Sequence, residues 1–212
     1  MRQFRQFLKR LIHKPRLRWL KELLGPYFLS GDPHNQWLRV VMNRETEELV
    51  NSLKPDQLRV LEVSGNIWDR PGLFKEYRSV HYPEYDLCEQ VLEESFDLII
   101  AEQVFEHLMW PYRAGKNVRS MLRSGGSFLI TTPFLIRVHA HPDDYSRWTE
   151  AGMRYFLAEC GFPLEHIQTG SWGNRSCAIT NLDNKWQIYQ RWRHSLRNEP
   201  DCPCVVWALA RK

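Results

Sequence analysis

The segment Ser95–His107, SFDLIIAEQVFEH, constrains the fold of this chain more than any other stretch. Its apolar run from Phe96 to Ala101 predicts a buried strand, and the polar residues Glu102 and Gln103 follow it directly. Buried strands that deliver polar groups at their carboxyl ends are typical of open parallel α/β sheets, which bind ligands at that edge. The segment therefore predicts an α/β protein with a ligand site at the end of this strand.

Strand and helix signals alternate on both sides of this segment. Further strands are predicted at 59–63, 78–82, 127–132, 164–168 and 205–210, and helices at 36–53, 67–76, 111–122, 149–160 and 184–195. This order indicates a Rossmann-like, doubly wound, mostly parallel sheet with helices on both faces and an antiparallel late strand. We expect an N-terminal helical extension over residues 1–54 and the main domain over residues 55–212.

The N-terminal extension carries the positive charge of the chain. Residues 1–24 hold eight Lys or Arg and one acid, a net charge of +7, whereas the whole chain has +4 and the remainder therefore −3. Apolar residues recur between the basic ones at helical spacing, which predicts an amphipathic basic helix. It could pack on the domain as a lid or dimer element, or lie on an anionic membrane surface. Nucleic acid binding is the weakest alternative, because basic residues alone are poor evidence for it.

The number and spacing of the cysteines, together with the hydropathy, predict the cellular compartment of the protein. The five cysteines are scattered and odd in number, and no apolar run approaches the roughly 18 residues of a membrane span. We see no secretory signal pattern. The sequence therefore predicts a reduced, cytoplasmic protein.

Four motifs together resemble the class I S-adenosylmethionine-dependent methyltransferases, most closely the small-molecule group. They are VLEVSGN at 60–66, SFDLIIAEQVFEHL at 95–108, MLRSGGSFLITTPF at 121–134 and RWTEAGMRYFLAECGF at 147–162. The similarity covers about residues 59–168. It implies S-adenosylmethionine as the cofactor, bound at the carboxyl ends of the strands.

The resemblance also implies which residues contact the cofactor. Glu62 and the turn Ser64-Gly65-Asn66 would border the methionine and ribose, although the family's turn is usually richer in glycine. Glu84 is assigned to the ribose. The remaining contacts are Asp86 and Leu87 at the adenine, Glu102 and Gln103 beneath the methionine and sulfonium, and His107 in the segment that follows.

A second polar cluster occupies residues 137–148, which we call the histidine loop. His139 or His141 could act as the general base toward an acceptor, with Asp144 orienting the histidine. Arg147 could bind an anionic substrate group, beside Trp148. The loop could instead bind a metal, but we predict none because no further spaced His or Cys pair supports it.

The loop after the strand at 164–168 is a candidate wall of the acceptor pocket. It contributes the substrate-binding candidates Trp172, Asn174 and Arg175. The sequence thus predicts methyl transfer to a small polar acceptor, such as a saccharide or a natural-product intermediate. The alternatives are methylation of RNA or protein, or a non-catalytic cofactor-binding or scaffold protein with the same fold.

Overall fold

The fold is built on one six-stranded sheet, seen in a computed structural model that describes residues 36–183 and 186–212. Its strands are β1 (Arg59–Val63), β2 (Glu76–Val80), β3 (Phe96–Glu102), β4 (Leu122–Pro133), β5 (Ile167–Trp172) and β6 (Val205–Arg211). They lie in the order β2-β1-β3-β4-β6-β5, and β6 runs antiparallel to both of its neighbours. The other strand pairs, β1 with β2 and β3, and β3 with β4, are parallel. The mostly parallel sheet with an antiparallel late strand is confirmed.

Helices cover both faces of the sheet. The described helices are α1 (Val40–Ser52), α2 (Pro111–Met121), α3 (Glu150–Glu159) and α4 (Arg175–Asp183). One core joins α2 and α3 to alternate sheet residues such as Leu61 and Ile99. The opposite face packs Val60 and Leu98 against α1, because neighbouring residues of a strand point to opposite faces. Helix α1 lies within the predicted extension 1–54 and packs on the sheet.

The helix predicted at 67–76 is wrong, because this segment forms turns between β1 and β2. Its first amides, of Ile67 and Trp68, donate to the Glu62 carboxylate. Gly72 has a positive φ of 78° directly after Pro71, which also interrupts helical geometry. The short connection therefore brings β2 beside β1 without a helix.

The helix predicted at 184–195 is also wrong where the structure describes it, since residues 186–195 form turns and an isolated bridge. The helix lies earlier, at α4, and begins directly after Asn174, whose side-chain oxygen accepts the amide of Cys177 at 2.8 Å. This is an N-cap bond, which stabilises a helix start. The helix predicted at 149–160 is confirmed as α3, and Thr149 is its N-cap, because the Thr149 hydroxyl accepts the amide of Gly152.

The basic N-terminal segment lies outside the described residues, so its lid, dimer and membrane alternatives remain predictions. No helix among residues 36–183 and 186–212 has the length and apolar character needed to cross a bilayer. All five cysteines are free thiols.

Candidate functional site

The turn after β1 is organised by a buried carboxylate. Glu62 is 1% exposed and accepts hydrogen bonds from the amides of Ile67 at 3.1 Å and Trp68 at 3.0 Å. The Tyr77 hydroxyl donates to the same carboxylate at 2.6 Å. Burial nevertheless raises the pKa of Glu62 above its usual value, because desolvation outweighs these bonds. Glu62 therefore fixes the shape of the turn.

The turn itself leaves backbone donors open. Ser64 adopts the left-handed conformation with φ of 57°, and a Cβ on Gly65 would lie 2.3 Å from Oε1 of Glu62. Glycine is therefore required at 65, because a side chain there would displace the carboxylate. Within the described part of the chain, the amides of Gly65 and Asn66 have no hydrogen-bond acceptor. Such amides can bind the anionic or polar groups of a ligand.

The end of β3 presents two fixed polar side chains. Oε2 of Glu102 accepts the indole N–H of Trp68 at 2.8 Å, and Oε1 lies 3.7 Å from the guanidinium of Arg39. Gln103 has a φ of 56°, and its side-chain amide donates to the Thr131 hydroxyl at 3.1 Å. A cavity of about 460 Å³ opens between α1 and the turn, with Glu102 and Trp68 in its wall. The carboxyl end of β3 therefore presents polar side chains that are held in fixed positions.

A wider groove of about 690 Å³ lies at the end of β2, with His81 and Glu84 in its wall. Glu84 is exposed, and Asp86, two residues further along the chain, is half-buried. One carboxylate oxygen of Asp86 accepts the amide of Cys88 at 2.8 Å. Leu87 is buried, and its carbonyl accepts the Asn117 amide at 2.8 Å. These bonds hold the loop after β2 in a defined conformation.

The third feature is a cluster of Glu106, His107 and His139, which we call the Glu-His-His cluster. One ligating atom from each residue lies within 4.8 Å of the others. Glu106 and His107 belong to a short 3₁₀ helix after β3, whereas His139 lies on the histidine loop after β4. Because β3 and β4 are parallel neighbours, their carboxyl ends bring the two segments together.

Backbone contacts fix the histidine loop over the 3₁₀ helix. The amides of Tyr145 and Ser146 donate to the Glu106 carbonyl, the first at 2.7 Å. Nδ1 of His107 contacts the carbonyl of Asp143, and Asp144 accepts the backbone amide of His139 at 2.9 Å. Asp144 therefore holds the loop backbone and does not contact the His139 ring. Its carboxylate also pairs with Arg147 through both oxygens.

Burial determines the electrostatics of the cluster. The Glu106 side chain is 0% exposed, and burial raises its pKa to about 8. Burial also lowers the pKa of His139, helped by the neighbouring His107, so that its neutral form is favoured at neutral pH. Two carboxylate oxygens of Glu106 and Nε2 of His139 have no hydrogen-bond partner among the described residues. The cluster thus contains buried acceptors that nothing in this part of the chain satisfies.

Comparison with known protein families matches part of this chain. The methyltransferase domain family model matches residues 63–130, which contain the β1 turn, β3 and the Glu106–His107 pair. The match covers less than half of the chain, and it agrees with the resemblance to class I S-adenosylmethionine-dependent methyltransferases that the sequence motifs indicate. No curated protein matches the sequence.

Solved structures share the fold of this chain. An S-adenosylmethionine-dependent methyltransferase from Archaeoglobus fulgidus is 12% identical, with a TM-score of 0.54 over 82% of this chain and 94% of that chain. One from Mesorhizobium loti is 14% identical, with a TM-score of 0.52 over 78% of this chain and 96% of that chain.

The residues present fit S-adenosylmethionine. The turn after β1 has amides at Gly65 and Asn66 that find no acceptor among the described residues, and the resemblance places the methionine and ribose there. Glu84 lines the groove beyond β2, and Asp86 follows two residues later in the chain; carboxylates can accept hydrogen bonds from ribose hydroxyls and an adenine amine. Glu62 differs from the rest, because its carboxylate is occupied by the protein's own donors.

The structure separates the substrate candidates into two groups. Trp172 is 1% and Asn174 3% exposed; the indole donates to the Leu196 carbonyl, and Asn174 donates to the carbonyls of Ser195 and Arg197. These contacts favour a packing role for both side chains. Arg175 is exposed at the start of α4.

The histidine loop contains the other candidates. Trp148 is 9% exposed and packs against Phe156, whereas Arg147 is paired with Asp144 near the Glu-His-His cluster. His139 lies in the cluster, and His141 is exposed on the same loop. The structure therefore distinguishes two histidines that the sequence offered as equivalent alternatives.

Several site residues were not predicted from the sequence. Arg39 and Trp68 contact Glu102, and Tyr77 contacts Glu62, across long sequence separations. No local pattern signals such contacts. Glu106 was not among the predicted site residues; its complete burial, with no hydrogen-bond partner for its carboxylate within the described residues, became visible only in three dimensions.

Proposed function

We propose that this methyltransferase transfers a methyl group from S-adenosylmethionine to a hydroxyl or amine of a small polar acceptor, such as a saccharide. The observation that supports the acceptor class is the Glu-His-His cluster, a buried polar group beside the carboxyl edge of β3. A polar acceptor can exchange its hydration for hydrogen bonds to such groups, whereas an apolar acceptor would leave them unsatisfied.

The cofactor supplies an electrophilic methyl group, and the protein must position the nucleophile in line with it. Open amides at Gly65 and Asn66 would hold the methionine end, and Asp86 the adenine. The acceptor hydroxyl or amine would lose a proton as it takes up this methyl group. The Glu-His-His cluster would favour loss of that proton, since His139 is neutral at neutral pH.

Arg147 is a further candidate for binding the small-molecule acceptor. Arg147 is held by Asp144 near the cluster, so its remaining donors could orient an anionic or hydroxyl group of the acceptor.

We further propose that residues 1–54 form an extension beside the main domain, including α1 on the sheet. Its basic segment would approach a membrane surface or a second copy of the chain.

Calorimetry with S-adenosylmethionine and with its demethylated product tests the first step. We expect one-to-one binding of both ligands; absence of heat and of any thermal shift would contradict the proposed cofactor. Transfer of a labelled methyl group to a panel of saccharides, amines and hydroxylated small molecules then tests the acceptor class. Binding without turnover on the whole panel would favour a non-catalytic protein.

Replacing His139 by Ala tests the role of the cluster. We expect turnover to fall by roughly 10²–10⁴-fold, the usual contribution of a proton-transfer group, with cofactor affinity unchanged. His141→Ala, on the same loop but exposed, should lower turnover much less. Equal losses of turnover in the two variants would contradict the distinction between these histidines.

A further inference from the structure

We propose that Glu106, His107 and His139 form a binding site for a divalent transition metal ion, with Zn²⁺ as the expected occupant. A set of one carboxylate and two imidazoles binds such ions in preference to Mg²⁺ or Ca²⁺. The three ligating atoms already lie within 4.8 Å of one another. Three protein ligands would leave a fourth position open to water or to an acceptor oxygen.

The hydrogen bond of His107 determines which of its nitrogens is free. Nδ1 contacts the carbonyl oxygen of Asp143, which can only accept, so Nδ1 must carry the proton. In the neutral ring, Nε2 then presents a lone pair, and it lies 3.6 Å from Oε1 of Glu106. When Glu106 is ionised, this lone pair faces a carboxylate, and a cation bound between the two atoms would remove their repulsion. A backbone carbonyl on the opposite ring nitrogen is also the usual support of a metal-binding histidine.

Glu106 supplies the second, independent observation. Its side chain is 0% exposed, and neither carboxylate oxygen has a hydrogen-bond partner within the described residues. Buried polar atoms are nearly always satisfied, and a buried carboxylate without a partner is costly. Nε2 of His139 is a third buried acceptor without a partner. A cation bound between these atoms would satisfy all three at once.

The surrounding contacts prepare the site before an ion arrives. The amide of Tyr145 donates to the Glu106 carbonyl at 2.7 Å, which fixes the histidine loop to the segment of Glu106. Asp144 accepts the amide of His139 at 2.9 Å and positions that residue. Ligands of tetrahedral zinc are roughly 3.3 Å apart, so small side-chain rotations from the present arrangement would complete the site.

The site can deepen the proposed function. If an acceptor hydroxyl occupied the open position, the metal would lower its pKa and so favour loss of its proton before methyl transfer. This role in catalysis rests on the proposed function, whereas the binding site itself does not. Metal binding is therefore tested without cofactor or acceptor, so that failure of one proposal leaves the other distinguishable.

Titration of the full chain with Zn²⁺, after removal of bound metal by a chelator, is the direct experiment. We expect one-to-one binding that excess Mg²⁺ does not displace. His107→Ala and His139→Ala should each weaken the affinity by at least about tenfold. His141→Ala is the matched control, because His141 is exposed on the same loop, and should bind Zn²⁺ like the wild type.

Glu106→Gln separates metal binding from a packing role. The substitution keeps the shape of the side chain and removes only its ability to be charged, so the metal-free variant should be as stable as the wild type or more stable. Its Zn²⁺ affinity should nevertheless fall by at least about tenfold. Unchanged affinity in the Glu106→Gln variant would overturn the proposal even if the histidine variants failed to fold.

Cysteine thiols can also bind zinc, so zinc bound by a thiol must be distinguished from zinc bound by the Glu-His-His cluster. Cys202 is the only one of the five that is not buried. Co²⁺ substitution should give visible bands of nitrogen and oxygen ligation without a thiolate charge-transfer band, and Cys202→Ser should not alter them. Thiolate bands, or no one-to-one site in the wild type, would refute the proposal.

Discussion

The substitution Glu62→Gln tests whether one buried carboxylate shapes the cofactor turn. Glu62 accepts three hydrogen bonds, from the amides of Ile67 and Trp68 and from the hydroxyl of Tyr77. Glutamine has the same size but offers only one acceptor oxygen. In its best orientation this oxygen faces Trp68 and Tyr77, which share Oε2, and the new NH₂ group faces the amide of Ile67.

The expected loss of stability follows from these contacts. One donor left unpaired costs about 1–3 kcal/mol, and two charge-assisted bonds that become neutral lose about 1 kcal/mol each. Relief of burying a charge offsets part of this, because burial already raises the pKa of Glu62. We expect the free energy of unfolding to fall by about 2 kcal/mol near neutral pH, measured by urea unfolding.

Two further variants make the test specific. Tyr77→Phe removes one donor, and the double variant should show a coupling energy of about 1 kcal/mol, because the two residues share a bond. Glu76→Gln, an exposed carboxylate that pairs with Arg59, should change stability by less than about 0.5 kcal/mol. A Glu62→Gln variant within about 0.5 kcal/mol of the wild type, or zero coupling to Tyr77, would refute this role.

Three other predictions follow from the same structure. Folding raises the pKa of Glu62, so the contribution of this residue to the free energy of unfolding is present at low pH and is lost as pH rises through the folded pKa. The loss of unfolding free energy in Glu62→Gln, measured by urea unfolding, should therefore shrink with rising pH. A loss that stays constant with pH would contradict this. Asp86→Ala should weaken S-adenosylmethionine binding by about 1–3 kcal/mol in calorimetry, whereas the exposed Asp201→Ala should not, and equal affinities would remove Asp86 from the cofactor site. Thr149→Ala should lower the unfolding free energy by about 1 kcal/mol, because the hydroxyl accepts the Gly152 amide at 3.1 Å, while Thr149→Ser should retain most of it.

Local sequence patterns were sufficient where an element is defined by its own residues. The apolar run in β3 and the cap at Thr149 are such cases, because burial periodicity and an N-cap depend on neighbours in the chain. The two incorrect helices had the opposite cause. At 67–76, a distant carboxylate and Tyr77 decide the conformation, and near 184–195 the cap at Asn174 places the helix earlier than its apolar pattern suggested.

The residues of the candidate site divide in the same way, into those that local sequence predicts and those that the tertiary structure decides. Gly65 and Glu102 could be proposed from position alone, because parallel strands end at one edge and ligands bind there, whereas Asp86 was implied only by the resemblance. The resemblance to a family assigned them to a cofactor, and their roles remain predictions. Trp172 and Asn174 met the same sequence criterion, yet they are 1% and 3% exposed, since burial depends on the segment at 195–197 that covers them.

By itself, the sequence determined the sheet and the edge at which its polar residues collect, since strand periodicity and chain order are properties of the chain. Only the tertiary structure decided what lies at the end of Ser95–His107. It buried Glu106 with no hydrogen-bond partner for its carboxylate in the part of the chain that the structure describes, and it brought His139 of a distant loop to within 4.8 Å of the Glu106–His107 ligating atoms. The physical reason is that β3 and β4 pair in parallel, so the two segments that follow them meet at one edge of the sheet.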